Sequence, residues 1–151
     1  LPTLSRRRIQ VHLPDVNLWL ALGFEAHAHH RRAADWFGDH PPGSCCFCRL
    51  TQQGFLRLAT NPSVFGEESL SLPQAWECYD LLRTDERVGF LAEPPGVEPP
   101  WRQLTRSRGY SHKVWTDTYL AAFAEAAGQR VATFDRGFSN YRGGDATILG
   151  P

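Results

Sequence analysis

Short apolar runs alternate with amphipathic stretches along this 151-residue chain, and that alternation limits the fold more than any other feature. A brief apolar run between turn signals reads as a buried strand, whereas apolar residues three and four apart read as a helix packed by one face. "IQVHLPDV", "SCCFCRL", "RVGFLA", "RVATFD" and a final "ATILG" are of the first kind. "NLWLALGF", "AHHRRAADWF", "TQQGFLRLATN", "LPQAWECYDLLRT", a short "WRQLTRS" and "TDTYLAAFAEAAG" are of the second. Their order predicts βα units around a mostly parallel sheet with helices on both faces, an α/β fold. Asn17 is placed to cap the first helix and Thr51 to start the third, which Asn61 and Pro62 end; Gly128 stops the last helix. Residues 62–71 and the segment holding Pro94, Pro95, Pro99 and Pro100 are predicted as loops.

A chain of this length with 42% hydrophobic residues sustains one core, so residues 1–151 are expected to form a single domain. The segment 1–8, "LPTLSRRR", is expected to lie outside the ordered part as a trimmed or disordered start. Sixteen basic and sixteen acidic side chains cancel, which excludes a chain that binds nucleic acid or membrane through overall charge and leaves only local patches. Fifteen of the bases are Arg, and Lys113 is the single Lys. Cys45, Cys46, Cys48 and Cys78 lack a C-x-x-C spacing, so they read as small core residues in a reducing cytoplasm rather than a zinc site or a disulfide framework. On a strand, Cys45 and Cys46 face opposite ways while Cys46 and Cys48 share a side. No stretch has about 18 uninterrupted apolar residues, and no apolar segment follows the charges of the first ten residues, so neither a membrane span nor a secretion signal is predicted.

Three acids fall where such a fold concentrates chemistry. Asp15 and Asp135 end predicted parallel strands, in "VHLPD" and "VATFD", and therefore share one edge of the sheet. Asp117 lies in the first turn of the helix preceding the "VATFD" strand, and that helix starts at the same edge. It sits on the inward stripe with Leu120 and Ala124. Taken singly, Asp15 and Asp135 read better as turn residues, and Asp117 as a helix-dipole partner beside a capping Thr116. Together, three carboxylates at the crevice of an open α/β sheet repel one another, and a hard divalent cation relieves that repulsion. Other chemistries lack their residues. "HAHH" is followed by Arg31 and Arg32 instead of the acid and histidine of a metallo-hydrolase pattern, leaving His27 and His29 expected at the surface and His30 in helix packing. Asn17 stands where a dehalogenase-type phosphatase needs a second Asp, and no G-x-G-x-x-G follows any strand.

In order and spacing, "LPDVNLWLAL", "HHRRAADWF", "LTQQGFLRLATNP", "WTDTYLAAFAEAAG" and "VATFDRGF" resemble PIN-domain proteins, specifically the VapC-type toxins of bacterial toxin–antitoxin pairs; the likeness runs over residues 12–138. The resemblance implies a three-layer α/β/α domain on a five-stranded sheet and a Mg²⁺- or Mn²⁺-dependent endoribonuclease. It also implies a homodimer that a small antitoxin holds inactive. Onto the family's metal-binding acids fall Asp15, Asp117 and Asp135, and Thr133 matches a hydroxyl position beside the metal. The chain departs from the family at Gln52, which aligns with a commonly found Glu; Gln53 is the neighbouring register. A neutral amide there implies weaker cation binding, or one ion in place of two.

The segment "WRQLTRSRGYSHK" places Arg102, Arg106, Arg108 and Lys113 among Trp101, Tyr110 and His112, a pattern suited either to gripping RNA or to a solvated loop with core-anchoring aromatics. Arg57, on the helix carrying Gln52, is expected to face the same groove. A PIN fold that binds RNA or protein without cutting is the alternative to the ribonuclease.

Overall fold

The computed structural model describes residues 8–141 and 146–150, so the expectation for the first eight residues falls, Arg8 apart, outside the described residues. Strands β1 (His12–Pro14), β2 (Cys45–Phe47), β3 (Val88–Phe90), β4 (Arg130–Thr133) and β5 (Thr147–Ile148) form one sheet in the order β3-β2-β1-β4-β5, and all four pairings are parallel. Each strand lies within one of the five apolar runs. Helices α1 (Val16–Gly23), α2 (His30–Phe37), α3 (Arg49–Ala59), α4 (Pro62–Phe65), α5 (Leu72–Thr84), α6 (Glu98–Thr105) and α7 (Val114–Ala127) complete a three-layer α/β/α arrangement.

Period-two alternation sorts the strand residues between two cores. Cys45 and Phe47 point to the layer of α1, α2, α3 and α5, where they meet Trp19, Phe37, Phe55, Ala75 and Tyr79. Cys46 and Cys48 point the other way, toward Leu120, Phe123 and Ala124 of α7, together with Leu13 and Val131. The anchor of the first core is Trp19 stacked on Phe47, with ring centroids 3.8 Å apart and planes 9° apart. All four cysteines are free thiols, and burial pushes Cys45 up to about 12. One close approach fixes α1 against α3: a Cβ on Gly54 would come within 2.5 Å of Val16 Cγ2, so only glycine fits that crossing.

Several local expectations give way to better-placed partners. Asp15, not Asn17, caps α1, because its extended backbone lets the carboxylate reach the amides of Asn17 and Leu18. Helix α3 begins at Arg49, two residues before Thr51, whose hydroxyl instead accepts from the Cys48 amide at 2.9 Å as the third helical residue. The loop predicted at 62–71 contains α4, started by the Asn61 side chain and Pro62, and a 3-10 turn at Gly66–Glu68. Helix α6 incorporates Pro99 and Pro100 in its first turn, where no amide donor is required. On α5 the sequence spacing predicts a stripe of Ala75, Cys78, Leu81 and Leu82, but the buried residues are Ala75 and Tyr79, while Leu81 is 72% exposed. His27 and His29 are half-buried, with His29 stacked on Phe134 at 4.9 Å. His30 packs as expected, its Nδ1 donating to the Ala21 carbonyl at 2.7 Å.

Candidate active site

Parallel register alone brings the first two acids together. Pro14 is the partner of Ala132, and the Asp15 amide donates to the Ala132 carbonyl at 2.9 Å, so Asp15 leaves β1 beside Thr133 at the end of β4. The Thr133 hydroxyl donates to Asp15 Oδ2 and accepts from the Asp135 amide at 2.9 Å. This buried hydroxyl thus couples the ends of the two strands. Asp135 Oδ1 accepts from the Gly137 amide at 2.8 Å, which starts the 3-10 turn Arg136–Asn140 and holds the carboxylate at the sheet edge.

Asp117 comes from the other layer, in the first turn of α7, and its charge interacts with both other acids. Its carboxyl is pushed up to about 6, chiefly by burial; the negative charges of Asp15 and Asp135 add to the rise, and Lys113 and His112 oppose it. Burial raises the Asp15 carboxyl as well, against the pull of the Thr133 hydroxyl, the Leu18 and Asn17 amides and the Lys113 charge. Lys113 Nζ stands 3.7 Å from Asp135 Oδ2. A cleft of about 500 Å³ opens here, lined by Asp15, Asn17, Gln53, Arg57, Lys113 and Asp117 among others.

Asp15 and Asp117 line the cleft and Asp135 stands next to it, linked through Thr133 and Lys113, yet among the described residues no three His, Cys, Asp or Glu side chains form a group that could hold an ion as placed. The donor set still suits a hard cation: it consists of carboxylate oxygens, two of them raised by burial and, for Asp117, by its acidic neighbours. Such a set gains from a positive occupant.

The remaining candidates divide. Gln52 is buried, its side-chain carbonyl accepts from Arg49 at 2.5 Å, and it is Gln53 that lines the cleft. Arg57 is exposed on the cleft wall. Arg102 pairs with Glu98 at 2.6 Å, and Arg108 is tied to the Leu104 and Asn140 carbonyls and lies over the Tyr141 ring. Both guanidiniums are thus engaged within the protein. Arg106 is exposed beside Trp101 and Trp115, and Tyr110 is 88% exposed. Asn17, expected as the cap of α1, lines the cleft, and so does Gln53, the neighbouring register to Gln52. Each follows a singled-out residue within two positions in the sequence.

Residues 13–144 match the PIN domain. Ribonuclease VapC41 of Mycobacterium tuberculosis is 40% identical over 142 residues, covering 91% of this chain and 97% of the relative. Among solved structures, Mycobacterium tuberculosis VapC20, described as a Sarcin-Ricin loop cleaving toxin, superposes with a TM-score of 0.65 at 21% identity, over 92% of this chain and 99% of that one. A toxin-antitoxin complex from Klebsiella pneumoniae gives 0.59 at 14% identity, over 93% of this chain and 97% of that one.

Proposed function

This chain belongs to the PIN-domain family, among its VapC-type toxins, and on that footing we propose that it is a metal-dependent endoribonuclease, the toxin of a toxin–antitoxin pair. The observation that carries the proposal is the placement of Asp15, Asp117 and Asp135 at one sheet edge, with the Asp117 carboxyl raised chiefly by burial and further by the charges of the other two. These three would hold Mg²⁺ or Mn²⁺. A bound hard cation supplies Lewis acidity toward a phosphodiester and an acidified water as nucleophile. Thr133 keeps the Asp15 carboxylate turned toward the cleft, and Asn17 and Leu18 fix its other oxygen through their amides. Arg57 on the cleft wall and Lys113 and His112 at its rim bind the RNA backbone, while Arg106 and Tyr110 extend the contact surface. Arg102 and Arg108 position the α6 segment and the 136–140 turn.

VapC41 carries the name ribonuclease, and VapC20 is described as cleaving the Sarcin-Ricin loop; both support RNA as the substrate class here. The fold neighbour solved as a toxin-antitoxin complex supports a small protein antitoxin as partner. A homodimer follows from the same family likeness. No described helix is long and apolar enough to cross a membrane, and the unpaired, mostly buried thiols suit the reducing cytoplasm.

Incubating purified protein with total RNA tests the proposal. Cleavage with Mg²⁺ or Mn²⁺, lost with a chelator and in Asp117→Asn, is the expected result, and sequencing the new RNA ends identifies the site cut. RNA retention without cleavage under every metal condition would replace the nuclease by the binding module that Gln52, neutral and engaged by Arg49, would favour.

A further inference from the structure

We infer that the Lys113 ammonium is a built-in competitor for the divalent cation: it neutralises the acidic cleft of the metal-free protein and gives way when the ion binds. The inference rests on the metal-dependent reading above and goes beyond it.

Lys113 stands where a merely structural lysine gains little. It occupies the N-cap of α7, and its backbone carbonyl accepts from the Asp117 amide at 2.9 Å, so the two residues are locked one helical turn apart. The positive end of the helix dipole lies there, which disfavours a cation. Its side chain makes no capping bond that would compensate. The compensation comes from the acids. Nζ is 3.7 Å from Asp135 Oδ2, and Lys113 supplies the largest opposing charge acting on both Asp15 and Asp117. One ammonium thus contacts the Asp135 carboxylate, and its charge is felt at Asp15 and Asp117.

The contact is also a yielding one. At 3.7 Å it is longer than a direct charge-assisted hydrogen bond, and the lysine side chain is nearly half exposed, with water at hand when it swings out. Lysine is a compact point charge on a flexible stem, unlike the forked arginines that make up every other base in the chain. A divalent ion among the same carboxylates repels this ammonium, and the same carboxylates cannot fully serve both. Occupation by Lys113 therefore lowers the apparent metal affinity, while limiting acid repulsion when no ion is present.

Calorimetric titration of the full chain with Mn²⁺ at low ionic strength tests this with wild type, Lys113→Gln, Lys113→Arg and Asp117→Asn. Lys113→Gln is expected to bind Mn²⁺ about three- to tenfold more tightly, the range for removing one screened like charge near the ion. Lys113→Arg, which keeps the charge, stays near wild type, and the gap between wild type and Lys113→Gln narrows in high salt. In thermal melts, Lys113→Gln is less stable than wild type without metal and gains more from Mn²⁺. A lysine that only contacts RNA would change the KM for RNA and leave Mn²⁺ binding untouched. Unchanged or weaker Mn²⁺ binding by Lys113→Gln, with wild type binding and Asp117→Asn not, would overturn the inference and leave the nuclease reading standing. Failure of wild type itself to bind Mn²⁺ would overturn both.

Discussion

Replacing Asp117 by Asn is expected to stabilise the metal-free protein at neutral pH, the reverse of what usually follows from removing a buried hydrogen-bonding charge. The folded-state carboxyl titrates at about 6 against an ordinary 3.8, so the native state holds the proton more tightly than the unfolded chain. The sign follows from linkage. The penalty is absent below the unfolded value, grows as pH rises from 3.8 toward 6, and is complete above that. The gap corresponds to at most about 3 kcal/mol, and because Asp117 is only half-buried, solvent screening reduces this to about 1–2 kcal/mol. For a chain of this length, that is roughly 3–6 °C in Tm. Thermal or urea unfolding with chelator at pH 7.5 should show Asp117→Asn more stable by this amount, and at pH 3.5 the advantage should nearly vanish. Saturating Mn²⁺ should reverse the order, since only the wild type retains the full set of acids to gain from binding. If Asp117→Asn were less stable than wild type at pH 7.5 without metal, or equally stabilised at both pH values, the electrostatic account of the cleft would be refuted.

Thr133→Val removes the hydroxyl shared by Asp15 and the Asp135 amide at nearly constant volume; it is expected to cost about 1–3 kcal/mol in urea unfolding and to lower RNA cleavage far more than RNA binding. Gly54→Ala forces Val16 aside, and the overpacking cost of about 1–3 kcal/mol exceeds the roughly 1 kcal/mol gained in helix propensity, so a lower urea midpoint is expected. Gln52→Glu places its charge against Arg49 and should leave Mn²⁺ affinity within about twofold, whereas Gln53→Glu, on the cleft wall, should tighten it several-fold in the same calorimetric titration.

The layers and strand order follow from features that act locally: alternation sends Cys45 and Cys46 to opposite cores, and Gly128 stops α7 in a left-handed conformation. The meeting of Asp15 with Asp135 was legible for a related reason, since residues ending parallel strands must share an edge. What stayed hidden depends on competition between nearby groups. Asp15 and Asn17 are both good caps, and only the backbone angle at residue 15 decides between them. Gln52 and Gln53 differ by a 100° turn about the α3 axis, which a sequence pattern cannot resolve when both are amides. The i,i+4 spacing of Glu98 and Arg102 allows their pairing to be read from the sequence, whereas nothing local signals that the Leu104 and Asn140 carbonyls and the Tyr141 ring will engage Arg108.

The central strand pairing has a consequence for biosynthesis. Strand β1 emerges early and pairs with β4, whose residues are made more than a hundred positions later. Until then, Asp15 has neither the Thr133 hydroxyl nor the other two carboxylates beside it. A chain still attached to the ribosome, or released by premature termination before residue 117, thus carries one acid of the three. The cleft is completed only once β4 and Asp135 have been made, so translation itself delays the appearance of an assembled site until that segment has been delivered.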